Sequence, residues 1–301
     1  MEHPFKPEYL WRPSQIIRRL AFTPSETATA LELPWQCSIN ARSAEVIGHS
    51  IATQGVYDLP LTEALTRLAD PGETALDLGA NIGYASLVLA RAVGPTGRVV
   101  CFEPNPRILP LLRANVESWS SLPAAPIHIE TVAISDSDGE GVLSFPEEYA
   151  RNESVATLGL GTDGVAVKVR RLDSFGISSA GVMKVDVEGH EAEVFNGAQN
   201  LLDGKRIRDI LFEEHEAYPA RSHQILLGHG YQVFRLTRST WRPLLLPPEE
   251  QSRQGFLPPN FLATLDPARA RARFAPWGWT ALSGGRTRAS GAVQGDCPTG
   301  N

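Results

Sequence analysis

Residues 74–83 read T-A-L-D-L-G-A-N-I-G, followed by Tyr84-Ala85-Ser86-Leu87. Ala75, Leu76 and Leu78 are the apolar residues of a short buried strand with Asp77 near its end. Two glycines, Gly79 and Gly83, follow, and the run rich in Ala, Leu and Val after them starts a helix. A strand that turns sharply into a helix presents main-chain N–H groups at the helix N-terminus. Glycine there lets a ligand approach the backbone. The stretch is read as a nucleotide-type cofactor site.

Working outward, strand-like and helix-like segments alternate from Glu73 onward, which predicts a mostly parallel α/β sheet. A helix over Tyr84–Val93 stops at Gly94-Pro95. Arg98 to Phe102 is the second strand, and it stops at Glu103-Pro104-Asn105-Pro106 because proline has no N–H for a ladder. A helix with Leu109, Leu112 and Val116 comes next, and Ile127 to Ile134 reads as the third strand. Gly141–Phe145 and Val165–Arg171 alternate as hairpin strands, with a polar stretch, Glu147 to Gly164, between them as a mobile loop. Gly181–Val187 is the fourth strand, a helix runs through Val194 to Leu202, and Ile207–Phe212 is the fifth. A further helix over Ala220–Leu227 and a strand from Gly230 to Phe234 complete the pattern.

Upstream, Pro13-Ser14 opens a short helix with Ile16, Ile17, Leu20 and Ala21 on one face. Gly55-Val56-Tyr57-Asp58 leads into a second helix that carries Leu61, Leu65 and Leu68. The expected division is a helical N-terminal cap over 1–70, a core over 71–236, an extension over 237–282 and a disordered tail over 283–301.

The loop has the spacing D-x-G-x-x-x-G, whereas a dinucleotide fold needs closely spaced glycines against a pyrophosphate. An acid ahead of the first glycine opposes a phosphate but suits a ligand that presents a cation, such as the ammonium of a methionine-derived group. Glu103, ending the next strand, is placed to accept from both ribose hydroxyls. Two acids ending successive strands describe an S-adenosylmethionine site more economically than NAD.

The 301 residues are enough for one large domain with extensions. A hydrophobic content of 42% with 21% charged residues is that of a soluble globular chain. The net charge of −6 argues against broad binding of nucleic acid. Three cysteines, Cys37, Cys101 and Cys297, show no metal-ligand spacing, so a reducing, cytoplasmic setting is expected. No apolar run reaches the roughly 18 residues of a membrane span, and no partner membrane is expected. Oligomeric state is not legible.

D-L-G-A-N-I-G, F-E-P-N-P and K-V-D-V-E-G-H-E, in that order, resemble the FkbM-type family of S-adenosylmethionine-dependent methyltransferases. The similarity runs from about Leu33 to Phe234 and includes G-V-Y-D ahead of the first strand. The resemblance implies a class I methyltransferase, Rossmann-like fold: a seven-stranded, mostly parallel sheet with helices on both faces and an added β-hairpin. It also implies methyl transfer to oxygen on a small hydroxylated acceptor, a sugar or a natural product, glycosylated or not. Carried over by position, Asp77, Gly79, Asn81 and Gly83 line the methionine side of the cofactor. Glu103, with Asn105 in the same motif, meets the ribose, and Ala133 and Ser135 lie near the adenine.

Methyl transfer from a sulfonium needs positioning and desolvation, and an alcohol also needs a proton acceptor or a metal ion. Ligands in such sheets lie beyond the carboxyl ends of the strands. The catalytic candidates are therefore Asp186, Glu188 and His190 at the end of strand four. Asp186 with Glu213 and His215 forms an alternative, oxygen-rich site for Mg²⁺ or another divalent ion. Tyr57 and Asp58 are candidates to close over the site. Each has a plainer reading: Asp186 as a helix cap, Glu188 and Glu191 as acids near a helix N-terminus, and Glu213–Glu216 as a solvated charge run. A non-catalytic cofactor-binding module is the competing class, and nitrogen or carbon acceptors stay open.

Overall fold

The computed structural model describes residues 7–20, 22–145, 157–159, 164–250 and 259–283. The expected tail therefore lies outside the described residues from 284 onward, as does most of the expected loop between Glu147 and Gly164.

The strands are β1 (Ala28–Glu32), β2 (Ser38–Arg42), β3 (Thr74–Leu78), β4 (Arg98–Phe102), β5 (Ile127–Glu130), β6 (Ala133–Ile134) and β7 (Gly139–Ser144). They continue as β8 (Thr157–Gly159), β9 (Val165–Arg170), β10 (Ala180–Val185), β11 (Ile207–Glu213), β12 (Gln232–Arg238), β13 (Pro243–Leu246) and β14 (Asn260–Thr264). The helices are α1 (Pro7–Trp11), α2 (Ser14–Leu20), α3 (Val46–Gln54), α4 (Leu59–Leu68), α5 (Tyr84–Val93), α6 (Leu109–Ser118), α7 (Glu191–Asn196), α8 (Gln199–Asp203), α9 (Arg221–Gly228) and α10 (Pro267–Phe274).

Among the described residues, eight strands form the main sheet in the order β13-β12-β14-β11-β10-β3-β4-β5. From β5 to β11 all neighbours are parallel; β14 runs antiparallel to both β11 and β12. This is the α/β, mostly parallel architecture expected, with one strand more than seven. The extra strand, β13, begins at Pro243 on the sheet edge, where a missing N–H is tolerated. β14, from the stretch set apart as a C-terminal extension, lies inside the sheet.

The expected third strand divides: β5 stays in the main sheet, whereas β6 leaves it to pair with β9. The expected hairpin is present as β7 against β9, antiparallel, within a second sheet of order β6-β9-β7-β8. The expected helix over 194–202 is also broken, into α7 and α8. Gly197 sits at the break, where a Cβ would lie 1.9 Å from the Ser135 carbonyl oxygen. The N-terminal stretch is not purely helical: β1 and β2 pair antiparallel. In α2 the buried residue is Gln15, whereas Ile16, Ile17 and Leu20 are exposed.

Alternation along β3 decides which side chains meet the cavity. Leu76 and Leu78 pack with Met183, Val185 and Phe212 on one face of the sheet. Ala75 packs on the other face with Val182 and the apolar residues of α4 and α5. By the strand's period of two, Asp77 belongs to the α5 face. No helix among the described residues is long and apolar enough to cross a membrane.

Candidate functional site

A cavity of about 200 Å³ opens at the carboxyl ends of β3, β4 and β10. Gly79, Asn81, Glu103 and Asn105 line it, as do Ala133, Lys184, Asp186, Glu188 and His190. Three motifs spread over residues 77 to 191 thus meet in one place. They meet because parallel strands end together and their following turns cluster there.

Glu103 is buried just beyond β4. Its carboxylate accepts the main-chain N–H of Asn81 and of Asn105, each at 2.8 Å. Burial pushes its pKa up to about 7 against the pull of those two N–H groups. Each carboxylate oxygen has two lone-pair directions, so acceptor capacity is left for a ligand hydroxyl. Gly79 has φ +77°, and a Cβ built on it would lie 1.9 Å from the carbonyl oxygen of Asp186. No L side chain fits there: the turn after β3 and the turn after β10 touch through main chain.

Asp77 does not reach the cavity. It is fully buried, with Oδ2 accepting from Ser86 Oγ of α5 at 2.5 Å and Oδ1 3.3 Å from Lys184 Nζ. The direct grip on a ligand ammonium read from the sequence is thus replaced by an internal ion pair. The cause is register: Lys184 is the cross-strand partner of Asp77 in the β3–β10 ladder, on the same face of the sheet. Lys184 Nζ also donates to the Gly79 carbonyl at 2.7 Å and lies 3.5 Å from Asp186 Oδ2. Burial works against this ammonium's charge, but Asp77 and Asp186 outweigh it and hold its pKa above the ordinary lysine range. Removing one partner of such a buried pair typically costs about 3–5 kcal/mol.

Gly83 is not a lining residue either. It is the residue before α5, with φ +90°, and an added Cβ would meet Leu112 and Trp119 of the neighbouring packing. Ser135 sits behind the lining and hydrogen-bonds His190, Oγ to Nε2 at 2.8 Å. The other ring nitrogen of His190 faces Glu193 at 3.8 Å. Burial lowers the His190 pKa against the pull of Glu193 and Asp136, which favours the neutral ring. One of its nitrogens is therefore already committed to Ser135.

Asp186 faces the cavity, and Glu188 lines it beside Asp186 in a left-handed backbone conformation, φ +55°. Burial and then Asp186 raise the Glu188 pKa. Glu213, ending β11, is pushed up to about 8 by burial and by the charges of Asp186, Asp58 and Glu188. His215 pairs with Glu213 at 2.9 Å and is largely exposed. Among the described residues no group of three or more His, Cys, Asp or Glu is arranged to hold a metal ion. Asp186, Glu213 and His215 therefore do not form the ligand set expected of them. Asp186 leans on Lys184, and His215 turns to Glu213 and solvent.

Lys184 was within reach of the sequence, since it shares one strand side with Asp186 and Glu188. Its pairing to Asp77 was not, because nothing local encodes that register. Tyr57 lines the cavity too, held by three contacts: its N–H donates to Tyr84 Oη at 3.1 Å, its carbonyl accepts from Thr62 Oγ1 at 2.6 Å, and its ring meets Tyr84 edge-on. Asp58 caps α4 through the Leu61 N–H and is itself held by Asn260. Tyr57 thus lines the cavity, whereas Asp58 is not among its lining residues and is fixed to the start of α4.

The family model described as Methyltransferase FkbM domain matches residues 77–233. The chain belongs to the FkbM methyltransferase family. It is an enzyme of methyl transfer, and the glycine loop, Glu103 and the K-V-D-V-E-G-H-E segment all fall inside the matched region. Among curated relatives, it is 28% identical over 247 residues to the 31-O-demethyl-FK506 methyltransferase FkbM of Streptomyces tacrolimicus, covering 69% of this chain and 91% of that one. It is 29% identical over 173 residues to the hexuronic acid methyltransferase AglP of Haloferax volcanii, covering 56% and 67%. It is 26% identical over 175 residues to the 2-O-methyltransferase NoeI of Sinorhizobium fredii, covering 52% and 70%. A solved structure of methyltransferase FkbM from Methylobacillus flagellatus aligns with a TM-score of 0.42 at 15% identity, over 75% of this chain and 62% of that one.

Proposed function

We propose that this FkbM-family enzyme transfers a methyl group from S-adenosylmethionine to a hydroxyl oxygen of a sugar or natural-product-type small molecule. The observation that carries the reading is the shared cavity. A buried carboxylate with free acceptor capacity, Glu103, lines the same space as a glycine turn that no side chain can enter. That pair fits a ribose and the amino-acid arm of the cofactor. The relatives' names support the acceptor class: one is named for FK506 and one for hexuronic acid, and two are named as acting at oxygen.

Bound there, the cofactor supplies a methyl already made electrophilic by its positive sulfur. The protein's part is to orient the acceptor hydroxyl, exclude water and take its proton. Asp186 is the proton acceptor in this reading. It faces the cavity, and its Oδ2 lies 3.5 Å from the Lys184 ammonium. His190 is tied to Ser135 and serves the cofactor side. Glu188 and Glu213 crowd Asp186 with like charge, and burial together with that charge raises the pKa of both glutamates.

The test combines calorimetry with S-adenosylmethionine and an acceptor panel of polyols, sugar acids and hydroxylated macrolides, read by release of S-adenosylhomocysteine. Binding together with turnover confined to hydroxyl-bearing acceptors is expected. Absent cofactor binding, or methylation found on nitrogen, would sink the reading. Asp186→Asn should lower kcat by roughly 10²–10⁴-fold, the usual range for loss of a general base, with little change in cofactor affinity.

A further inference from the structure

Among the described residues that line the cavity, Lys184 is the one lysine or arginine, and its surroundings are specific. Its ammonium touches groups from both strand ends: Asp77 within β3, the Gly79 carbonyl just after it, and Asp186 after β10. A lysine present only to neutralise Asp77 would make its shortest contact there. Here the shortest contact is to the Gly79 carbonyl, 2.7 Å against 3.3 Å to Asp77. The peptide that carries the Gly79 carbonyl is also held from its other side, where the Ala80 N–H donates to the Phe102 carbonyl at 3.0 Å. The Asp186 N–H donates to the Leu78 carbonyl at 3.1 Å. Main chain therefore sets where each turn begins, and among the described residues Lys184 joins the Gly79 carbonyl to the Asp186 side chain.

We propose that Lys184 is the positioning residue of the site, a buried ammonium that ties the end of β3 to the end of β10 and fixes the Gly79 carbonyl and the Asp186 carboxylate against the bound cofactor. Asp77 is then the counter-ion of Lys184 and not a ligand residue. The proposal rests on the reading that the cavity takes S-adenosylmethionine. It also explains why the acid that ends the first strand is buried away from the cavity: its charge is spent on the lysine that organises the lining.

The experiment separates positioning from mere charge compensation. Lys184→Met alone leaves Asp77 buried without its partner, so a loss of folding there decides nothing. The double variant D77N/K184M removes both charges. It should melt within a few degrees of wild type yet bind S-adenosylhomocysteine at least tenfold more weakly by calorimetry. Recovery of both melting temperature and affinity would overturn the proposal. If the double variant does not fold, Lys184→Arg decides. It keeps the charge beside Asp77, but its planar fork cannot place a donor on the Gly79 carbonyl from the same spot. At least threefold weaker binding in a stable Lys184→Arg protein supports positioning, and unchanged affinity refutes it. A wild-type protein that ignores S-adenosylhomocysteine would defeat the cofactor reading instead. The tie would then be judged from ligand-free crystal structures of the folded variant and wild type: a moved Asp186 side chain upholds it, and an unmoved one refutes it.

Discussion

The carboxylate of Glu103 holds the main-chain N–H of Asn81 at 2.8 Å, so the acid that ends β4 also shapes the turn that ends β3. Changing Glu103 therefore acts twice, on the ligand and on the loop. Glu103→Ala should weaken S-adenosylmethionine binding at least tenfold, about 1.4 kcal/mol. It should also lower stability by about 1.5–3 kcal/mol, the range for a hydrogen bond to a charged group. Glu103→Gln should fall between, because its amide turns a donor toward one of two N–H groups. Calorimetry and urea denaturation measure the two effects separately, and unaltered affinity in both variants would remove Glu103 from the site.

Gly79 and Gly189 both have positive φ, +77° and +88°, but only Gly79 is crowded. An alanine at 189 meets nothing within 4 Å and should cost only the left-handed backbone penalty, about 1–2 kcal/mol. An alanine at 79 runs into the Asp186 carbonyl and must push the two turns apart. Gly79→Ala should therefore be clearly less stable than Gly189→Ala in urea and should abolish cofactor binding. Equal stabilities would mean that the turns are not in contact.

Glu213 binds its proton more tightly in the folded protein, at about 8, than at its ordinary 4.5. The folded state therefore carries the extra proton between those values. The stability this lends is complete below 4.5 and is lost as pH rises through 8. Glu103, pushed up to about 7, works in the same direction. Buried His223, lowered to about 4 by burial, acts only below its ordinary 6.5. Melting temperature should thus fall between pH 6.5, above which His223 no longer opposes the trend, and pH 8, and Glu213→Gln should flatten that slope. An identical slope in the variant would show that Glu213 is ionised at neutral pH.

Ser135 and His190 should behave as one unit. Because the ring nitrogen is bonded to the serine hydroxyl, Ser135→Ala and His190→Ala remove the same interaction, and the double variant should cost little more than the larger single change. The coupling expected from a double-mutant cycle on cofactor affinity is about 0.5–1.5 kcal/mol. Strict additivity would mean that the pair does not act together at the cofactor side.

Much of the site was legible because its pieces are local. The turn after Leu78, the helix over Tyr84–Val93 and the strand over Arg98–Phe102 appear where apolar periodicity, glycine and proline put them. Glu103 followed from the proline that ends its strand. What escaped was long-range. Asp77 sits at the strand end foreseen, but its facing is set by the period of two and by α5, which supplies Ser86. The Lys184 partner of Asp77 depends on a register between strands 107 positions apart (184 − 77). β1 and β2 were read as helix-bearing cap, and Gly197 was read as interior to a helix, because the Ser135 carbonyl it must clear belongs to another element.

The strand order carries a consequence for biogenesis. β14 fills the gap between β11 and β12, yet it leaves the ribosome after both. Until Asn260–Thr264 emerges, β11 has an open edge, and Asp58 at the start of α4 lacks the amide of Asn260 that holds it. A nascent chain halted before that point displays a sticky half-sheet, so chaperone engagement during synthesis should be strongest over this interval and end once the last central strand slots in.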